Sequence, residues 1–241
     1  MQRLPAKKVR IKDVLNGKFF YGDKESLIPS YLVTRYGIKV GRVNLIGTIV
    51  DKFINDKENY LFFIIDDGTG EIRVKFFNES AKRNKSFEIG DLVLIIGKIR
   101  EYLGEIYING EIIRKIDDPN FETLRKLELA RIIIQQKKLI KEMKSMRERM
   151  SEEEFEKYLK SKGIEKEVAD VMLNYSETEE DYKQRLIYLI SELDDGEGVE
   201  IDKILEISKI PPEIIESSIS KLLDEGYIYE PSPGKFKIVE R

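Results

Sequence analysis

The sequence predicts a multidomain protein: a small, mainly β barrel, then a long α-helix, then a C-terminal domain of mixed α and β structure. Three observations predict this fold class. Between residues 40 and 117, five segments rich in Ile, Val, Phe and Tyr are separated by turns of Gly, Asp and Asn. After Asp118, apolar residues recur at three- and four-residue steps, as in an amphipathic helix. From residue 178 onward, three helical segments precede two short strands.

The five predicted strands follow one another closely along the chain. They are Arg42–Phe53, Tyr60–Asp66, Glu71–Phe77, Asp91–Tyr102 and Glu105–Ile116. The polar segment 78–87 predicts a short helix between the third and the fourth strand. Five strands with a helix in this position describe an OB-fold, a small Greek-key barrel. Residues 1–40 are expected to extend or cap this barrel.

The segment DDGTG at residues 66–70 predicts a hairpin turn in which glycine adopts positive φ and Asp and Thr bond locally. The adjacent carboxylates of Asp66 and Asp67 could also be interpreted as a metal or acid–base pair. Because neighbouring residues in a tight turn point apart, turn chemistry is the favoured interpretation.

The helical pattern after Asp118 is longer than a typical globular helix, which indicates packing against a partner. The alternative is a helix folded back on its own barrel. The residues assigned to oligomerisation are Leu124, Leu127, Ile132, Ile133, Leu139, Ile140 and Met143. Ser151 and Glu154 then predict a capping box that begins another helix.

The C-terminal pattern is that of a winged helix, a helix-turn-helix variant with a β-hairpin wing. An amphipathic segment, Glu179–Leu193, is followed by a short helix, Asp202–Ser208. Pro212 lies in the first turn of a third helix that Gly226 closes. Together these signals divide the chain into an N-terminal extension (1–40), an OB-fold (41–118), an oligomerisation helix (119–150), a helical linker (151–177) and a winged helix (178–241).

The composition excludes several classes of protein. The 241 residues include no Cys and no His, which excludes disulfides, zinc sites of the usual kind, Ser-His-Asp triads and His-based acid–base catalysis. We therefore expect that the protein is not an enzyme and that it has no catalytic residue, no bound metal and no cofactor. No apolar run approaches the length of a membrane span, and the N-terminus lacks the apolar region of a signal peptide. We expect an intracellular protein without a membrane partner, which in an archaeon would be cytoplasmic and associated with the nucleoid.

The net charge of −3 hides an asymmetry between the two parts of the chain. Residues 1–118 hold 21 Lys and Arg against 17 Asp and Glu, and residues 119–150 hold 9 against 4. Residues 151–241 hold 12 against 24. The basic part is suited to nucleic acid, which would repel the acidic part.

Side-chain alternation predicts a binding face on the barrel. Ile72, Val74 and Phe76 share one face of the third predicted strand, which leaves cations and an aromatic ring on the other. The fourth and fifth strands repeat this pattern. The predicted nucleic-acid-binding residues are Phe77, Tyr102, Arg73, Lys75, Lys98, Arg100 and Tyr107. Cations meet phosphates and rings stack on bases in proteins that bind single strands. The alternative is that Phe77 and Tyr102 serve only to end a strand and close a hairpin.

The run Val40–Phe53 and the segments IIDDGTGEIRVKFF and GDLVLIIGKIREY resemble the OB-fold of the second, middle subunit of replication protein A. The helix after the barrel and the DEGYIY segment near the C-terminus resemble the layout of that family, whose archaeal members are the most similar in character. The resemblance implies that Phe77 and Tyr102 stack on bases, although Phe77 stands where the family has Trp. It also implies a heterotrimer with two sister subunits formed through the helix, and a winged helix that recruits replication or repair proteins.

The leading hypothesis is therefore a subunit of a complex that binds and protects single-stranded DNA in replication, repair and recombination. One alternative is a transcription regulator that reads duplex DNA through its winged helix. Another is an accessory protein whose OB-fold binds RNA or tRNA.

Overall fold

The structure is a computed structural model that describes residues 5–22, 29–174, 176, 179–208 and 210–239. The chain divides into two compact units, residues 1–175 and residues 176–241. No helix in the described ranges is both long enough and apolar enough to cross a membrane.

The residues before the barrel close one of its ends. They form β1 (Ala6–Lys8), α1 (Ile11–Leu15), β2 (Lys18–Phe20), β3 (Tyr31–Val33) and β4 (Lys39–Val40). Strand β1 pairs in parallel with the first barrel strand, and β2, β3 and β4 form a separate antiparallel sheet. Ile11 and Val14 of α1 are fully buried in the barrel core. The N-terminal segment thus both extends the sheet and caps the barrel.

The barrel has the predicted five strands and the predicted helix between the third and the fourth. Its elements are β5 (Arg42–Ile54), β6 (Tyr60–Asp66), β7 (Glu71–Phe77), α2 (Glu79–Asn84), β8 (Leu92–Tyr102) and β9 (Glu105–Lys115). The strand order is β1-β5-β6-β7-β9-β8, and β5 also pairs with β8, which closes the barrel. The contact between β7 and β9 is parallel, whereas β8 and β9 form an antiparallel hairpin. The OB-fold is confirmed.

The 66–70 turn has the predicted turn chemistry. The Oδ1 atom of Asp67 accepts hydrogen bonds from the Thr69 amide at 2.9 Å and from the Thr69 hydroxyl at 2.6 Å. Its Oδ2 atom accepts a bond from the Ile11 amide at 2.9 Å. Asp67 therefore ties the turn to the first residue of α1, where a helix has amides without partners of its own. Asp66 accepts a bond from the Gly68 amide at 2.7 Å.

Replacing Asp67 by Ala is expected to lower the free energy of unfolding by about 1–2 kcal/mol, because the Ile11 and Thr69 amides lose their acceptor. Urea unfolding of the full chain measures the change. Asp66→Ala is the matched control, since the Asp66 carboxylate serves the turn alone and should cost less. Equal losses in the two variants would contradict the link between the turn and α1.

Three helices complete the first unit in its described part: α3 (Asn120–Arg149), α4 (Glu152–Lys162) and α5 (Lys166–Leu173). The predicted capping box is confirmed, since Ser151 Oγ accepts from the Glu154 amide and the Glu154 carboxylate accepts from the Ser151 amide. Helix α3 packs on the barrel through Arg125, whose Nη1 donates to the Asn44 carbonyl at 2.7 Å. Further along, α3 shares a second apolar core with α4, α5 and β3.

The second unit has the winged-helix order predicted from the sequence. Its elements are α6 (Glu179–Leu193), β10 (Val199–Glu200), α7 (Ile201–Ser208), α8 (Pro212–Asp224), β11 (Ile228–Ser232) and β12 (Lys235–Ile238). The strands form a sheet in the order β10-β12-β11. Residues of α6, α7, α8 and the sheet bury one apolar core, which includes Leu186, Ile215 and Phe236.

Candidate nucleic-acid interface

The outer face of the barrel sheet carries aromatic and cationic side chains on neighbouring strands. Burial alternates along β7, where Ile72, Val74 and Phe76 are buried and the residues between them are not. Cross-strand register then aligns the outward residues. Phe77 lies opposite Tyr60 of β6, and Lys75 lies opposite both Phe62 of β6 and Asn109 of β9. Because opposite residues lie about 5 Å apart, these side chains form one continuous surface.

Four rings on this face pack against one another, and we call them the four-ring cluster: Phe53, Tyr60, Phe62 and Phe77. The ring centroids of Phe53 and Phe62 are 5.3 Å apart and nearly parallel, and those of Tyr60 and Phe77 are 5.4 Å apart. Phe77 remains 44% exposed. Its ring therefore lies on the outer face, where it can contact a ligand.

The hairpin between β8 and β9 presents a second aromatic position. Tyr102 is 66% exposed, and the next residue, Leu103, is 88% exposed and has a φ of 51°. A non-glycine residue at positive φ costs about 1–2 kcal/mol, and such strain clusters at binding sites. The Glu101 carboxylate holds the turn by accepting hydrogen bonds from the Gly104 amide and the Tyr21 hydroxyl. These two bonds keep the pKa of Glu101 below its ordinary value.

The predicted cations are interleaved with these rings. The Arg73 guanidinium lies 4.9 Å from the centroid of Phe62 and forms an ion pair with Glu105. The Lys75 Nζ lies 3.7 Å from the centroid of Tyr107. Lys98 is exposed on β8, with its Nζ 3.9 Å from the Glu111 carboxylate, and Arg100 donates to the Ile99 carbonyl at 3.3 Å. Cations over aromatic faces can meet phosphates while bases stack beside them.

Tyr60 illustrates the electrostatic character of this face. Burial raises the pKa of its phenol, the charge of Arg73 opposes that rise, and Glu105 adds to it. A tyrosine phenol is neutral at physiological pH at its ordinary pKa, and a raised pKa leaves it neutral. Tyr60 is then an uncharged ring beside cations, which does not repel phosphate.

All seven residues predicted for nucleic-acid binding lie on β7, β8 and β9. The sequence prediction did not include Phe53, which is 47% exposed on β5 and pairs with Phe62 across the β5–β6 register. A β-bulge between Ile49 and Asp51 shifts that register and breaks simple alternation along β5. The available signal was the polar turn at residues 55–59, which indicates a hairpin that brings the aromatic residues before and after it onto neighbouring strands.

The residues predicted for oligomerisation divide between two faces of α3. Ile140 and Met143 are buried inside the chain against Phe155, Leu159 and Met172, with Ile133 and Leu139 partly buried in the same core. This corrects the assignment of Ile140 and Met143 to a partner surface, because side chains buried within the chain have no surface left to contact a partner. Ile133 and Leu139 keep some exposed surface, and their assignment stays a prediction. Ile132 is half-buried. Leu124 and Leu127 are exposed, as are two residues that the prediction did not include, Phe121 and Ile134.

Comparison with known proteins agrees with this geometry. Residues 41–116 match the family model described as an OB-fold nucleic acid binding domain. Uncharacterized protein MJ1654 of Methanocaldococcus jannaschii is 30% identical over 203 residues, which cover 84% of this chain and 77% of that protein. The chain belongs to the family of this archaeal protein.

The resemblance to the second subunit of replication protein A is confirmed as well. Replication factor A protein 2 of Schizosaccharomyces pombe is 30% identical over 112 residues, which cover 46% of this chain and 37% of that protein. A solved structure of yeast RPA bound to ssDNA contains a chain with 27% identity and a TM-score of 0.42; the match covers 53% of this chain and 88% of that one.

Proposed function

We propose that this protein is a subunit of a heterotrimeric complex, similar to replication protein A, that binds and protects single-stranded DNA. The observation that carries the proposal is the outer barrel face, on which exposed rings alternate with Arg73, Lys75 and Lys98 over adjacent strands. Such a complex would serve replication, repair and recombination. The chain's part in it is binding rather than catalysis.

The chemistry of the face explains how a single strand would be held. Each base that stacks on a ring contributes about 1–3 kcal/mol, whatever its sequence. Phe77 and Tyr102 offer two such positions, which the β7–β9–β8 strand order brings onto one face. Lys75, Lys98 and Arg100 would neutralise phosphates between them. Binding of this kind discriminates single strands from duplexes, because the bases of a duplex are already stacked on one another.

The exposed stripe of α3 is the surface we assign to the two sister subunits. Phe121, Leu124, Leu127 and Ile134 recur at helical spacing on the side of α3 that the chain leaves exposed. An unpartnered apolar stripe on a 30-residue helix is what a helix bundle between subunits requires.

The winged helix is assigned to replication or repair proteins rather than to duplex DNA. Helix α8 and the residue after it carry Glu213, Glu216, Asp224 and Glu225. The one cation among them, Lys221, forms an ion pair with Glu179 of α6. Inserting this acidic helix between phosphates would be electrostatically unfavourable, which argues against a duplex-reading transcription regulator.

Titration of the full chain with labelled oligonucleotides tests the proposal. We expect binding to a single DNA strand that is much tighter than binding to the matching duplex. Its affinity should fall with salt by about 0.7 log units per log unit for each phosphate neutralised. Equal or tighter binding to duplex would support the transcription regulator, and preference for an RNA strand of the same sequence would support the RNA-binding accessory protein.

A further inference from the structure

The four-ring cluster includes a ring pair that lies beyond the predicted binding residues. Phe53 of β5 and Phe62 of β6 stack with centroids 5.3 Å apart and an angle of 21° between their planes. We propose that this pair is a second stacking subsite for the same DNA strand. The strand would then cross the whole sheet, from Tyr102 at the β8–β9 hairpin to Phe53 at the β5–β6 end. This inference rests on the proposed function and adds a subsite to it.

The rings of this pair do not serve the barrel core. The core cluster of buried residues takes Leu61 and Phe63 from β6, which alternate with Tyr60 and Phe62 on the opposite side of the strand. Phe53 keeps nearly half of its surface exposed. With nearly half of its surface exposed, Phe53 gains less from folding than a core phenylalanine such as Phe63, and its exposed surface is open to a ligand.

The pair is continuous with the proposed binding face. Tyr60 bridges the pair to Phe77, with centroid distances of 6.1 Å to Phe62 and 5.4 Å to Phe77. A base stacked at Phe77 therefore has a neighbouring ring, Tyr60, on the adjacent strand. In the strand order β5-β6-β7-β9-β8, Phe53 and Tyr102 lie on the first and the last strand, with Phe62 and Phe77 on strands between them. Phe53 lies beyond the part of β5 that pairs with β8.

The charges around the pair favour a nucleic acid over an apolar protein partner. Arg73 lies over the ring of Phe62 at 4.9 Å, and Lys75 lies opposite Phe62 in the β6–β7 register. A protein surface that docked here would have to cover both cations and compensate for their lost hydration. A single nucleic-acid strand carries one negative phosphate per nucleotide, and each nucleotide also presents the aromatic face of its base. Alternating cations and rings complement this pattern.

Phe53→Leu tests the subsite, because leucine keeps an apolar side chain and removes the π-face. Binding of the full chain is measured with oligothymidylates from about 4 to 16 nucleotides, the range of site sizes for one OB barrel. We expect affinity for the longer strands to fall about tenfold and affinity for the shortest strands to stay unchanged. Tyr102→Ala, in contrast, should weaken binding at every length. Tyr188→Leu is the matched control, since it makes the same change from an exposed ring to leucine on α6 of the second unit, outside the barrel sheet.

A second measurement reads the contact directly. A 5-iodouracil placed at successive positions of the longest strand is crosslinked to the protein by light, and the attachment sites are mapped by mass spectrometry. Crosslinks at Phe53 or Phe62 from one end of the strand and at Tyr102 from the other are the expected result.

Several outcomes would overturn the inference. If Phe53→Leu binds strands of every length with wild-type affinity while Tyr102→Ala binds them more weakly, the subsite is rejected and the proposed function is left intact. A large fall in the melting temperature of Phe53→Leu would make the ring pair structural, and loss of subunit assembly with normal DNA binding would make it a protein interface. If the wild-type chain binds no single strand, the proposed function and the subsite fail together.

Discussion

Replacing Phe77 and Tyr102 together by alanine is expected to weaken binding of single-stranded DNA by a factor of roughly 30 to 20,000. Each ring stacks on one base, each stacked base contributes about 1–3 kcal/mol, and every 1.4 kcal/mol is a tenfold change in affinity. Fluorescence polarisation with a labelled single strand measures the loss. The salt dependence of the remaining binding should hardly change, because the cations that meet the phosphates are all retained.

The same double variant should remain folded. Both rings are substantially exposed and lie outside the barrel core, so their removal uncovers little buried surface. The melting temperature should therefore shift by no more than a few degrees. Tyr188→Ala removes an equally exposed ring from the winged helix and should leave binding unchanged. A large loss of stability in the double variant would mean that the two rings are structural, with Phe77 serving to end its strand and Tyr102 to close its hairpin.

Introducing Glu at both Leu124 and Leu127 is expected to abolish assembly with the sister subunits. Two carboxylates in the apolar stripe of α3 would have to be buried without partners, which costs several kcal/mol and weakens association at least a hundredfold. The chain itself should fold normally, because both positions are exposed within it. Sedimentation of the complex that co-purifies with the tagged chain from its source measures assembly.

Two further variants serve as controls for this result, one for the change in charge and one for the buried face of α3. Lys157→Glu makes a comparable charge change on the exposed side of α4 and should leave assembly intact. Met143 lies on the buried face of α3, so Met143→Ala leaves a cavity in the core and should lower the free energy of unfolding by about 2–5 kcal/mol. Normal assembly of the Leu124/Leu127 double variant would mean that the subunits meet elsewhere. Deleting residues 120–150 tests assembly less specifically, because it would also expose the second apolar core of the first unit to solvent.

Several features of the fold were predictable because they depend on neighbours in the sequence. Alternation along β7 separates Val74 from Lys75 without reference to any other strand, since successive side chains point to opposite faces. The Asp67 turn and the Ser151–Glu154 capping box close within a few residues, and each formed as predicted. Alternation also predicted Phe77 and Tyr102 on the outer face, and the resemblance of residues 64–77 and 90–102 to the replication protein A family implied the same two stacking positions.

Other features depended on contacts between distant segments. The sequence alone predicted a basic OB barrel with rings and cations on one face, a long helix and an acidic winged helix. Only the tertiary structure added Phe53 to the rings, because a bulge in β5 sets which of its side chains faces Phe62. Only the tertiary structure divided α3 into two faces, since helical periodicity marks Leu127 and Met143 alike as apolar and cannot say which of them the same chain covers. Local geometry fixes the direction of a side chain, but its burial depends on what packs against it.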